Sequence, residues 1–342
     1  MTQSPGVMVI DEVPEPGPPG PQDVILRPEA VGICGSDLHV FAGDVGALSG
    51  ARNFFPRILG HEFSAVVERT GQDCRGGLKA GDRVAVWPLH GCGRCYPCRV
   101  GRANACVSLE LVGIHRDGAL QQLLAVPDTQ VFGVGDLDAE SAAFVEPMSI
   151  AVHALGRADL RSGQQVVILG AGPIGLALTM AATAAGARVM ATDPVATRRE
   201  LAAKVGAEHV AWGTDPELLD AARAWTRRNG PPRVIDSTGD PAALALATAL
   251  VCSAGRVVVV GMSAAAAPLR SGIFPEKEID VAGSSCATAA DFRAAVRLVR
   301  AHRDAIAMLF SHRFPLSQAR EAIECVANPA AGAVKVLITL GS

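Results

Sequence analysis

The stretch VVILGAGPIGLALTMAATAAGARVMATD, from Val166 to Asp193, restricts the fold more than any other part of the chain. Val166 to Leu169 is apolar at every position, as a strand buried on both faces must be. It runs into Gly170-Ala171-Gly172-Pro173-Ile174-Gly175, a G-x-G-x-x-G turn. A helix then reaches to about Ala185, and a second strand from Arg188 to Ala191 leads to Asp193. The glycines permit a tight turn, close approach of the backbone to a pyrophosphate, and close packing of helix on strand, with the helix N-terminus facing the phosphates. Asp193 can accept hydrogen bonds from an adenosine ribose, and its charge repels a 2′-phosphate, which favours NAD over NADP. Arg198 and Arg199 work against that preference, because an arginine can serve a 2′-phosphate. Residues 164–187 carry no charge, but the glycines and Pro173 interrupt them, so a strand followed by a helix is expected and not a membrane span.

The alternation continues. A helix around Arg198–Val205 leads to a strand at His209–Ala211, and a helix around Glu217–Arg227 leads to one at Arg233–Asp236. A helix over Pro241–Val251 leads to Arg256–Val260 and Gly261. This is the pattern of a doubly wound parallel sheet. The apolar run Val257–Val260 reads as its last strand, where pairing across a two-fold axis would give a dimer. Further coenzyme contacts are expected at Arg198, Thr238, Val260, Gly261, Met262 and Ser284. From about Val281 the pattern changes: an amphipathic helix over Asp291–Arg300, a loop and helix over Phe314–Val326, and a strand over Val334–Leu340. This tail is expected to rejoin the first domain, since the sheet is already complete.

Residues 1 to about 147 read as short strands between turns. Val7–Ile10, Val24–Leu26, Ser64–Val67 and Arg83–Val86 are apolar or alternating runs bounded by Gly, Pro and Asp, which suggests a compact, partly open β barrel. The prolines from Pro14 to Pro21 are expected in a loop between edge strands. The length of 342 residues suits about two domains. With 49% apolar and 19% charged residues, a large core can form. A net charge of −3 gives no electrostatic footprint for nucleic acid, and a single Tyr with three Trp gives no stacking platform.

The segment CGRCYPCRVGRANAC sets Cys92, Cys95, Cys98 and Cys106 in a C-x2-C-x2-C-x7-C array. Thiolates bind zinc tetrahedrally, and a two-residue spacing lets a turn aim both sulfurs at one metal. Four ligands close the shell, so such a site is structural. Disulfides are disfavoured because no signal-peptide pattern opens the chain and a reducing, cytoplasmic setting is expected. Spacing alone leaves a four-cysteine iron–sulfur site open. Of the nine cysteines, Cys74, Cys252, Cys286 and Cys325 read as ordinary reduced thiols.

A second set of soft ligands lies in the first domain: Cys34 in GICGSDLH, His61 and Glu62 in GHEFSA, and Glu146 in VEPMSIAVHA. Cysteine, histidine and carboxylate from separate loops make the mixed shell of a catalytic zinc, with one place left for water or a substrate oxygen. Ser36 could accept a proton from a bound alcohol and His39 could carry it to solvent, although a turn cap and a surface histidine account for the same spacing.

GICGSDLH, GHE, the four-cysteine lobe, VEPMS and GAGPIG follow one another in an order that resembles the zinc-dependent medium-chain alcohol dehydrogenase family, over essentially the whole chain. The similarity leans to its polyol and sugar-acid branch, which includes sorbitol, threonine 3- and L-galactonate or L-gulonate 5-dehydrogenases. GIHRDGALQQLLAVP (113–127), VIDSTG (234–239) and AGSSCAT (282–288) are most similar to the sugar-acid members. The resemblance implies an α/β chain with a GroES-like catalytic domain (1–147 and 282–342, zinc lobe about 90–107) and a Rossmann NAD-binding domain (148–281). It implies zinc at Cys34, His61, Glu62 and Glu146, the two glutamates binding directly, through water or as backing. It implies a second zinc at Cys92, Cys95, Cys98 and Cys106, proton relay by Ser36 and His39, and a homo-tetramer or homodimer. The implied reaction is NAD-linked oxidation of a secondary alcohol of a small polyol or sugar acid. Ser285-Cys286 departs from the Arg-Asn-like pair usual in that branch, so the resemblance supplies no substrate clamp there. A sorbitol, threonine or butanediol dehydrogenase is the alternative within the family, and a catalytically silent NAD(H)-binding sensor the alternative outside it.

Overall fold

A computed structural model describes residues 1–44 and 55–341. The chain divides into two units, Met1–Glu146 with everything from Thr288 onward, and Pro147–Ala287.

The unit Pro147–Ala287 is built on a six-stranded, fully parallel sheet. In spatial order its strands are His209–Ala211, Arg188–Thr192, Gln165–Leu169, Arg233–Asp236, Arg256–Val259 and Asp280–Gly283. Gln165–Leu169 lies centrally, and Val166, Val167, Ile168 and Leu169 are all buried, as an unbroken apolar strand requires. The helix Pro173–Ala184 follows it with proline in its first turn, where a missing N–H leaves nothing unsatisfied. Leu176 to Ala182 are buried without a break, so this helix belongs to the interior of its unit. Among the described residues no helix is long and apolar enough to cross a membrane.

The sheet corrects one expectation. Arg256–Val259 is an inner strand, and the outermost place on that side belongs to Asp280–Gly283, which pairs with it in parallel. The sequence pattern hides that strand because it is only DVAG, with Asp280, Val281 and Gly283 exposed. An edge strand covered on few sides has no need of a continuous apolar run.

The other unit centres on Asp23–Gly32, which pairs antiparallel with Glu62–Thr70, Lys335–Thr339 and Leu124–Pro127. Arg83–Val86 and Val131–Gly133 extend the sheet on one side, and Phe310–Pro315 extends it on the other, parallel to Lys335–Thr339. The Pro14–Pro21 loop therefore joins a small hairpin, Thr2–Ser4 with Val7–Met8, to the most central strand of the sheet and not to an edge. Pro28 is tolerated in that strand because the pairing with Glu62–Thr70 shifts register between Pro28 and Ala30. Phe63, Leu26, Val84 and Ile338 meet in the core beneath, with helix Ala319–Ala327 contributing Ala322 and Ile323.

The turn after Gln165–Leu169 leaves no room for a side chain at Gly175. Gly170 has φ +90°, and a Cβ on Gly175 would strike the Gly170 carbonyl oxygen. Gly175→Val should therefore destabilise the protein by about 1–3 kcal/mol or more through overpacking. The drop in the midpoint of chemical unfolding measures it, and an unchanged midpoint would show that this turn relaxes freely.

Candidate functional site

Two strands and two helices bring the first cluster together. Cys34 follows the central strand Asp23–Gly32 and caps the helix Gly35–Ala42. His61 and Glu62 stand where Glu62–Thr70 begins, and Glu62 is directly opposite Gly32. Ligand atoms of Cys34, His61 and Glu62 all lie within 4.8 Å of one another. Glu146, in the first turn of helix Val145–Ala158, is close enough for its charge to couple to Glu62, His61, Lys335 and Asp37.

Two residues with no role expected from the sequence, Asp37 within GICGSDLH and Lys335 far from it, complete the cluster. Asp37 Oδ2 accepts the backbone N–H of Cys34 at 2.9 Å. Its Oδ1 lies 3.5 Å from His61 Nδ1, and both atoms are buried without a closer hydrogen-bond partner among the described residues. A carboxylate beside Nδ1 fixes the imidazole so that Nε2 turns the other way, toward Ser36 Oγ at 3.4 Å. That is how a metal-ligating histidine is usually oriented. Lys335, from the strand Lys335–Thr339, is only 2% exposed. Its ammonium donates to the Ile33 carbonyl at 3.0 Å and to Glu62 Oε2. The signal for Asp37 is an acid three residues after Cys34. The signal for Lys335 is the one charge in the apolar run AVKVLITL.

The electrostatics of the cluster favour a cation. Burial pushes the Glu146 carboxyl up, Glu62 adds to the effect, and it reaches about 7. Burial opposes protonation of His61, yet Asp37 and Cys34 outweigh it and hold the imidazole well above its ordinary range. Burial likewise opposes charge on Lys335, and Glu62 and Cys34 outweigh it. Each shift has the sign that crowded acidic groups produce. The donors are a thiol, an imidazole and carboxyls, a set that suits zinc. Cys34, Ser36 and Glu146 keep partial exposure, whereas Asp37, His61, Glu62 and Lys335 are buried. Cys34 and Ser36 therefore stand at its more exposed edge.

The second cluster is the cysteine quartet. All four sulfurs lie within 4.8 Å of one another, with Cys95 Sγ 3.4 Å from Cys98 Sγ and 3.7 Å from Cys106 Sγ. A tetrahedron of Zn–S bonds of about 2.3 Å needs sulfurs about 3.8 Å apart, whereas a disulfide needs about 2.0 Å. The Cys92 and Ser108 N–H groups donate to Cys106 Sγ at 3.2 and 3.3 Å. Backbone N–H groups of Cys98 and Val107 pull the Cys95 thiol down to about 6. Both effects favour thiolates, the form that binds metal, at Cys106 and Cys95, whereas burial pushes the Cys98 thiol up to about 12.

The parallel sheet carries a pocket of about 370 Å³. Gly170, Gly172, Asp193, Arg198 and Thr238 line it, together with Trp212, Leu218, Ser237, Asp240 and Leu246. Both oxygens of Asp193 accept backbone N–H groups at 2.8 Å, one from Ala171 in the glycine turn and one from Val195. Pro173, Ile174 and Gly175 open the adjoining helix, and Val260, Gly261, Met262 and Ser284 follow the ends of two strands without lining this pocket. Ser284 Oγ is buried there without a hydrogen-bond partner among the described residues.

The family model described as "Alcohol dehydrogenase GroES-like domain" matches residues 20–136, and that described as "Zinc-binding dehydrogenase" matches residues 173–301. The chain is 33% identical over 314 residues to L-galactonate-5-dehydrogenase of Escherichia coli K12, which covers 90% of this chain and 88% of the relative. It belongs to the zinc-type medium-chain alcohol dehydrogenase family. Among solved structures, an alcohol dehydrogenase from E. coli CFT073 complexed with NADH superposes with a TM-score of 0.88 at 27% identity, covering 99% of this chain and 97% of that one. A Sinorhizobium meliloti 1021 protein bound to NADP superposes with a TM-score of 0.87 at 33% identity over the same shares. The GroES-like and Rossmann expectations thus hold, and so does a nicotinamide coenzyme for the family.

The raised Glu146 carboxyl gives a pH dependence. A metal ion at the Cys34–His61 cluster would favour its ionised form, so metal uptake there should release its proton when the pH is below about 7. Affinity should then fall as the pH drops from about 7 toward about 5, and Glu146→Gln should flatten the slope of log affinity against pH by about one. Competition with a chelator at several pH values measures both slopes, and equal slopes would remove Glu146 from the linkage.

Proposed function

We propose that this family member oxidises a secondary alcohol of a small polyol or sugar acid to the ketone, with NAD as acceptor and two zinc ions per chain, in the manner of L-galactonate or L-gulonate 5-dehydrogenases. The observation that carries the catalytic part is the Cys34–His61–Glu62 cluster, with Ser36 beside it and Cys34 and Ser36 partly exposed. Cys34 and His61 would hold the catalytic zinc, with Glu62 and Glu146 as further carboxyls near it. Zinc there supplies Lewis-acid polarisation of the substrate hydroxyl, and NAD supplies the hydride acceptor. Cys92, Cys95, Cys98 and Cys106 would hold the structural zinc.

Ser36 takes the hydroxyl proton in this reading. His39 lies three residues further along the same helix, part-exposed and 3.5 Å from Asp44, and passes the proton to solvent. Asp37 keeps the His61 ring oriented. The Gly170–Gly175 turn and the N-terminus of helix Pro173–Ala184 receive the pyrophosphate, and Asp193 receives the adenosine ribose. Likeness to L-galactonate-5-dehydrogenase over 90% of the chain supports a sugar-acid substrate. Ser285-Cys286 leaves sorbitol-, threonine- or butanediol-type substrates as the second reading. A homo-tetramer or homodimer completes the proposal.

Purified protein with NAD should form NADH from L-galactonate or L-gulonate in preference to sorbitol, L-threonine and 2,3-butanediol. Turnover confined to uncharged diols would move the substrate to the second reading. Cys34→Ser should abolish turnover and remove one zinc per chain while NADH still binds, as followed by its fluorescence. Surviving turnover in that variant would overturn the metal role.

A further inference from the structure

Among the described residues of Met1–Glu146, the large apolar side chains left exposed form two groups: Val7 and Ile10 near the N-terminus, and Tyr96, Val100 and Val107 on the cysteine lobe. The lobe group is one surface. The Val100 N–H donates to the Tyr96 carbonyl at 3.1 Å, which sets those side chains one helical turn apart. The Val107 N–H donates to the thiol of Cys95, the neighbour of Tyr96. Tyr96 is 70% exposed and Val107 78%. Arg94, Arg99 and Arg102 surround them, exposed and without an ion-pair partner among the described residues. No acidic residue stands between Gly91 and Leu109, so the lobe presents guanidiniums to solvent even with thiolate charge inside it. The N-terminal group has the opposite sign. Ile10 runs into Asp11, Glu12 and Glu15, likewise exposed and without an ion-pair partner among the described residues, and no lysine or arginine precedes Arg27. An apolar patch rimmed by charge marks an interaction surface, and this unit carries two of them with complementary rims.

We propose that the cysteine lobe of one copy of this chain packs on the Ile10–Glu15 segment of a second copy, and the reverse, about a two-fold axis. This rests on the homo-oligomer part of the reading above and names its surfaces. The two patches are anchored at the two ends of one stretch, residues 110–117. At one end, Glu110–Leu111 pairs with Leu89–His90 and closes the base of the lobe. At the other end, Asp117 pairs with Arg57 at 3.1 Å, and Arg57 exchanges backbone hydrogen bonds with Thr2 of the N-terminal hairpin at 2.7 and 2.8 Å. A two-fold contact requires each copy to offer both halves, and neighbouring patches of opposite charge do so. A stable interface buries about 800 Å² on each partner, drawn from about 20–30 residues, so both patches of each copy must take part. Arginine and tyrosine are the residues that such interfaces favour. Charge selects the pairing, because lobe on lobe or segment on segment would set like charges together.

The test is the mass of the full-length, zinc-loaded protein in solution, read by light scattering over a concentration series. The triple variant Arg94→Glu/Arg99→Glu/Arg102→Glu should shift the mass to a smaller species, with the dissociation constant raised about 10-fold or more. Asp11→Arg/Glu12→Arg/Glu15→Arg should do the same. An equimolar mixture of the two variants should associate again, because each altered patch then meets its opposite. One chain carrying both sets should assemble like the parent, and that recovery also shows that the substitutions leave lobe and hairpin folded. A parent that stays monomeric would sink the homo-oligomer reading and this proposal with it. A parent that assembles while both triple variants keep its mass would retain the oligomer and overturn these surfaces. Dissociation of both variants with no recovery in the mixture or in the combined chain would overturn the pairing.

Discussion

Acidic side chains cannot be crowded out of water unless positive charge is brought to them. Around Cys34 the chain gathers Asp37, Glu62 and Glu146, and that demand shapes the sheet of the first unit. The answer comes from two directions. Lys335 is carried in on the strand paired to one side of Asp23–Gly32, and His61 on the strand paired to the other. The central strand must end at Gly32 with no side chain, because the ion pair occupies that space. A slip of one residue in either pairing would turn Glu62 or Lys335 to the opposite face. The site and the register of the sheet therefore specify each other.

The cysteine quartet solves the same problem differently. It draws its compensation from backbone N–H groups at Cys106 and Cys95. Glycines at φ +71° (Gly93) and +77° (Gly101) permit the turns that point those amides inward. All of its sulfur donors come from one short stretch, so the lobe needs little from the rest of the fold. The Cys34 cluster, by contrast, has contributors separated by as many as 302 residues, since Lys335 reaches the carbonyl of Ile33. One cluster is local and closed, the other long-range and partly exposed.

That difference explains which features the amino-acid sequence discloses and which it hides. The cysteine spacing and the strand–turn–helix from Val166 to Asp193 are local patterns, and both are legible. So are Cys34, His61 and Glu62, because each stands in a short run of distinctive composition. Lys335 is not, because its partner is fixed only by the pairing of Lys335–Thr339 with Asp23–Gly32. Asp37 hides as an ordinary helix-start acid. The strand Asp280–Gly283 is invisible because an edge position relaxes the apolar pattern by which strands are recognised. Trp212 lines the pocket on the parallel sheet from the loop after His209–Ala211, a place that no glycine or acidic fingerprint marks.

The pocket on the parallel sheet shows how a single acid can be fixed by its surroundings and still offer acceptors to a ligand. Asp193 follows its strand buried, with each oxygen accepting one backbone N–H. A carboxylate oxygen has two lone-pair directions, so each can accept once more, and ribose hydroxyls are donors of the right kind. A 2′-phosphate brings only acceptors and negative charge. Of the two arginines able to serve it, Arg199 is engaged with the carbonyls of Asp193 and Pro194 at 2.6 and 2.9 Å, and only Arg198 lines the pocket. The bonds from Ala171 and Val195 also hold the Asp193 carboxyl against the glycine turn, which opposes its swinging aside to make room for a phosphate. An acid that the glycine turn itself keeps in place is thus what supports NAD as the acceptor in the proposed reaction.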